Sequence, residues 1–100
     1  MSYSFHPEAE AEFIRAIEYY EEKEVGLGHD FAVEVYSTIE RSVAFPEAWP
    51  VIEQDIRRSL VRRFPYGILY LEQEKEIYIL AVMHLHRDPE YWKHRTQEMG

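Results

Sequence analysis

The chain contains no cysteine, which removes disulfides and thiolate chemistry together and suits a reducing compartment. With only 4 glycines in 100 residues, it has no phosphate-cradling glycine loop, and neither a nucleophile elbow nor a Ser-His-Asp signature occurs. Long apolar runs are also missing. The longest strong one, Ile77 to Met83, falls well short of the roughly 18 residues that a membrane span needs. No basic-then-apolar segment opens the chain in the manner of a signal peptide. These absences lead us to expect a cytoplasmic protein that has no membrane partner. Internal repeats, low-complexity tracts and linkers are absent too, so residues 1–100 are expected to form a single domain.

What is present is a hydrophobic fraction of 46% with 15% aromatics, enough for one core without staples. The net charge of −8 is unevenly placed: residues 1–56 carry −10 and residues 57–100 carry +2. A basic edge on an acidic body suits an anion- or partner-binding face. The overall charge nevertheless repels a polyanion at long range.

Tyr3 to His6 reads as a short opening strand. Pro7 fits the first turn of a helix, with Glu8, Glu10 and Glu12 complementing the positive end of its dipole. Phe13, Ala16, Ile17 and Tyr20 then form an apolar stripe, while Glu8, Glu12, Arg15, Glu18, Glu22 and Lys23 form the expected wet face. Gly26-Leu27-Gly28 is read as the end of this helix, and Asp30 as the cap of a second one carrying Phe31, Val35, Ile39 and Val43. Phe45-Pro46 stops it, and Pro46 to Asp55 reads as a connection. Ile56 to Phe64 alternates with charge on both faces, as an edge strand does. Pro65-Tyr66-Gly67 turns into Ile68 to Leu71, and Glu72 to Glu76 makes a polar hairpin tip. Ile77 to Leu85, apolar on both faces, reads as a strand covered on both sides. Asp88-Pro89-Glu90 has the order of a cap, a first-turn proline and an early acid, and predicts a short helix carrying Tyr91, Trp92, His94 and Arg95. The fold class is α+β, in the order β-α-α-β-β-β-(α), with a helical hairpin packed on a small, mainly antiparallel sheet.

Two groups carry potential chemistry. Arg57, Arg58, Arg62 and Arg63 can grip phosphate in a forked geometry, or else stand solvated beside acidic helices. Because strand alternation divides them between two faces, at most two can meet one ligand. His84 and His86, at i and i+2 on a strand, share a face with Arg87 just beyond. A histidine there can serve as general acid or base while the arginine holds a phosphate. The bland reading is a pair of histidines half-buried under the last helix. Tyr66, Tyr70, Tyr91 and Trp92 can stack bases or fill a core. No His-x-x-x-His or cysteine-bearing pattern supports zinc, so no metal and no cofactor is expected.

Arg63-Phe64-Pro65-Tyr66-Gly67-Ile68-Leu69-Tyr70, the charged hairpin, Ile77 to Val82 and His84-Leu85-His86-Arg87-Asp88-Pro89 together resemble the RelE/ParE superfamily of bacterial toxins. The element order resembles it as well. The resemblance implies the toxin of a type II toxin–antitoxin pair, with a cognate antitoxin as partner. ParE-like members poison DNA gyrase by binding, and the Phe-Pro-Tyr and Arg-Asp-Pro wording resembles that branch more closely. RelE-like members are metal-independent endoribonucleases that cut mRNA on the ribosome. On that alternative, the resemblance gives His84, His86, Arg87 and Arg63 catalytic roles. Arg58, Arg62, Arg63, Tyr66 and Tyr91 would contact phosphate or target. A member without toxicity, bound only to its antitoxin, is the third possibility.

Overall fold

Apolar residues spaced three and four apart in the first half, and two apart in the second, bring a helical hairpin onto one face of a five-stranded sheet. The computed structural model describes residues 2–97. In chain order the elements are β1 (Ser2–Phe5), α1 (Pro7–Lys23), α2 (Leu27–Ala44), β2 (Val51–Glu53), β3 (Ile56–Leu60), β4 (Tyr66–Gln73), β5 (Glu76–His84) and α3 (His94–Gln97). The sheet order is β1-β5-β4-β3-β2. Only β1 runs parallel to its neighbour β5; the other pairs are antiparallel. The expected α+β class and the hairpin-on-sheet arrangement are therefore observed.

One core lies between hairpin and sheet, built from Phe13, Phe31, Val35, Ile39, Ile68, Tyr70, Ile77 and Ile79, among others. Each such side chain contributes about 1.5–3 kcal/mol on burial. The opposite face is covered by the segment after β5, whose Trp92 packs with Ile56, Leu69, Leu80, Ala81 and Met83. β5 is thus buried on both faces, as its unbroken apolar run requires.

Several expectations need correcting. Val51–Glu53, expected as part of a connection, forms the edge strand β2, so β3 is an interior strand. β3 ends at Leu60, and beyond it Val61 and Phe64 both turn into the core. That reversal passes through Arg63, whose φ of +73° is in the left-handed region. The helix break is tighter than expected: α2 starts at Leu27, after Gly26 at φ +91°. Gly28 lies inside α2, pressed against α1 so closely that a Cβ there would sit 2.6 Å from the Ile17 carbonyl oxygen. Glu21 spans the junction, accepting from Gly26 N–H at 2.9 Å and Gly28 N–H at 3.0 Å. Glu12, assigned to the wet face, is buried. The closing helix is also shorter. Residues 89–93 form turns, with Asp88 capping Glu90 N–H at 3.0 Å, and helix begins only at His94.

Candidate functional site

The β4–β5 hairpin is open at the end where β4 begins and β5 finishes. Tyr66 and His84 are cross-strand partners there, with ring centroids 5.2 Å apart. α1 crosses beside them and completes a groove of about 230 Å³, lined by Glu12, Arg15, Tyr19, Tyr66, His84 and Arg87, among others. A larger concavity, about 520 Å³, lies at the other end of the hairpin among Ser4, Gln73, Glu74, Glu76 and Tyr78. It holds no arginine and no histidine, so the groove at His84 is the better candidate.

Within the groove, His84 Nδ1 accepts the backbone N–H of His86 at 3.1 Å. In a neutral ring the proton then resides on Nε2, which is a donor rather than the lone pair a general base needs. His86 is exposed, with its ring 5.2 Å from that of His84. The guanidinium of Arg87 lies over Tyr91, 3.8 Å from the ring centroid, with Nη1 3.6 Å from Glu12 Oε2. Tyr66 sits against Phe31 and Tyr20, and burial raises its hydroxyl above the usual tyrosine range. The Tyr91 hydroxyl is buried without a well-formed hydrogen bond. It titrates far above the ordinary value, first because of burial and then because Glu12 is near. Both tyrosines therefore stay neutral phenols at physiological pH.

The arginines of the 57–63 stretch do not converge on this place. Arg57 donates to the carbonyls of Glu47 and Trp49 at 3.2 and 2.6 Å and straps the loop before β2. Arg58, opposite Leu69 in the ladder, lies on the Trp92 face of the sheet. Arg63 packs over Phe64 and faces Asp30 in the first turn of α2 at 3.6 Å. Arg62 is exposed and makes no ion pair among the described residues. Tyr70 and Trp92 belong to the cores rather than to any stacking surface, and Tyr70 Oη is tied to the Pro46 carbonyl at 2.8 Å. Of the residues singled out from sequence, Tyr66, His84 and Arg87 line the groove, His86 stands beside His84 and Tyr91 against Arg87, and Arg58, Arg62 and Arg63 are left out.

The structure also brings in residues that sequence reasoning missed: Glu12, Arg15, Tyr19 and Arg95. Glu12 Oε1 accepts from Val82 N–H at 3.1 Å and from Arg95 Nη1 at 2.9 Å, and Oε2 accepts from Arg95 Nη2 at 2.9 Å. The signal for Glu12 was its helical phase, between Ala9 and Phe13 on the buried stripe. No comparable signal marks Arg95, whose partner is 83 residues away.

Residues 3–89 match the family model described as the ParE toxin of type II toxin–antitoxin systems, parDE. Among solved structures, a chain from the chromosomal ParDE TA system of P. aeruginosa superposes with a TM-score of 0.59 at 20% identity, covering 86% of this chain and 97% of that one. At that identity the likeness is one of fold. No curated protein sequence matches the chain.

Proposed function

This chain belongs to the ParE toxin family of type II toxin–antitoxin systems, and from that membership we propose that it inhibits growth by binding an essential target rather than by catalysis. DNA gyrase is the target we assign, with a cognate antitoxin as the neutralising partner and the cytoplasm as the place of action. The observation that carries the choice of mechanism is the dispersal of the arginines. A phosphodiester-cleaving site gathers cations around one phosphate, whereas here Arg57 and Arg63 are engaged elsewhere and Arg58 lies on the Trp92 face, which leaves Arg15 and Arg87 at the groove. Arg87, which does line the groove, already faces a carboxylate.

One observation favours ribosome-dependent mRNA cleavage as the second reading: Tyr66, His84, His86 and Arg87 do meet at one open end of the sheet. A single pair of assays separates the two. The purified protein is expected to inhibit gyrase supercoiling, and to leave mRNA intact in a cell-free translation reaction mapped by primer extension. Arg87→Ala and His84→Ala are expected to retain the gyrase effect. New 5′ ends within translated codons, lost in Arg87→Ala, would make the protein a ribonuclease and sink the proposal. Co-purification with the product of a short neighbouring gene tests the antitoxin.

A further inference from the structure

The floor of the groove is already filled. Around the Glu12 carboxylate stand the two η-nitrogens of Arg95 at 2.9 Å each, Val82 N–H at 3.1 Å and Arg87 Nη1 at 3.6 Å. Two guanidiniums and a backbone N–H converging on one anion are the donor set with which proteins bind oxyanions. The buried Tyr91 hydroxyl lies beside them without a well-formed hydrogen bond.

The sheet creates this donor set. β1 stops with Phe5 opposite Ile79, so the edge of β5 beyond that point has no strand to pair with. Arg95 Nη1 takes the Leu80 carbonyl at 2.8 Å, and Glu12 takes Val82 N–H. Each donor has a hold independent of Glu12: Leu80 for Arg95, the Tyr91 ring for Arg87, and the strand itself for Val82. Only the anion comes from α1. An ion pair serving simply to staple the last helix to α1 would not need Arg87 beside it.

We propose that Arg95, Val82 N–H and Arg87 form an oxyanion-binding site at the groove floor, which the protein occupies with its own Glu12 carboxylate. With Glu12 in place, Arg95 and Val82 N–H are closed to a phosphate of a nucleic acid and only the half-exposed Arg87 faces solvent, which gives the groove a physical reason to lack phosphate chemistry. When Glu12 is shortened, the site takes a small carboxylate or a phosphate from solution. The inference rests on the reading of the protein as a binder rather than a nuclease, but its test reads neither gyrase nor mRNA and so fails or succeeds separately.

The test is thermal melting of wild type, Glu12→Ala and Glu12→Gln in chloride, acetate and phosphate at matched ionic strength. Glu12→Ala is expected to melt lowest in chloride and to rise to a plateau with acetate or phosphate. The wild type, with its site filled, gains no more than it does in chloride. Glu12→Gln, whose amide still fills the space, gains much less than Glu12→Ala. Adding Arg87→Ala to Glu12→Ala is expected to raise the half-saturating anion concentration about tenfold, the loss of one charge-assisted contact. A lower half-saturating concentration for acetate than for phosphate identifies a carboxylate site, and the reverse a phosphate site. Equal gains in wild type and Glu12→Ala, or a rise without a plateau as from anion exclusion, would overturn the proposal. So would a Glu12→Ala protein that stays unfolded, or unresponsive, at every anion concentration.

Discussion

Glu12 and Arg95 have side chains about 5% and 4% exposed, and charges so deep in a fold are stable only as a pair. Their attraction largely offsets their own desolvation, so the pair adds little net stability, whereas breaking it leaves one charge stranded. Arg95→Met is therefore expected to lower unfolding stability by about 3–5 kcal/mol in urea denaturation, with Arg87 softening the loss. Glu8 behaves differently. It accepts from His94 Nε2 at 2.8 Å, and this hydrogen bond, ahead of the Arg95 charge, holds its carboxyl below the ordinary 4.5. A depressed carboxylate contributes stability above its unfolded value and loses it as pH falls through the lower folded value. Glu8→Gln is thus expected to melt below wild type at neutral pH, with the gap closing as pH drops beneath 4.5; an unchanged gap would contradict this. The helical phase of Glu12, beside Ala9 and Phe13, points inward, against its assignment to the wet face. The residue reads as solvent-facing because glutamate is seldom buried without a partner, and its partner is remote in sequence.

At the scale of elements, the helical hairpin depends on one close approach. Gly28→Ala would place a Cβ 2.6 Å from the Ile17 carbonyl and 2.9 Å from Glu21 Cβ, and backbone does not yield as a flexible side-chain tip does. The expected loss is about 1–3 kcal/mol, read as a shifted urea midpoint with an unchanged slope. The closing segment depends on Trp92, which seals the second face of the sheet. Trp92→Ala is expected to cost about 3–5 kcal/mol and to expose Leu69, Leu80 and Met83 to a hydrophobic dye. β2 was not legible because its three residues are too few for periodicity. Its turn into β3 passes through Gln54 at φ +49°, a residue that gives no hairpin signal. Gly26-Leu27-Gly28 misled for a related reason: glycine marks a close approach as well as a helix end.

Across the whole molecule the charge asymmetry matters more than any single arginine. The −10 carried by residues 1–56 resides mainly on the helical hairpin and the +2 of residues 57–100 on the sheet and closing segment. The basic half therefore has its field opposed by the acidic one. The intact protein is expected to pass unretained through heparin at physiological salt and to leave single-stranded RNA unshifted in a gel, since polyanion affinity comes from phosphate neutralisation. Retention that weakens steeply with salt would contradict this and favour a nucleic-acid target.

The sequence by itself determined the order of the elements, the hairpin and the apolar strand buried on both faces. Those follow from local periodicity, caps and turns, which act over a few residues. It also determined that His84, His86 and Arg87 would stand together, since they follow one another at the end of one strand; the hairpin register then set Tyr66 opposite His84. Strand alternation divides the arginines between two faces, and tertiary structure decided where each one went: Arg57 to the carbonyls of Glu47 and Trp49, Arg58 to the Trp92 face and Arg63 to Asp30. Tertiary structure alone decided that Glu12 would meet Arg95 under the groove. Two charges 83 residues apart are paired only when α1 and the segment after β5 are packed against the same unpaired strand edge.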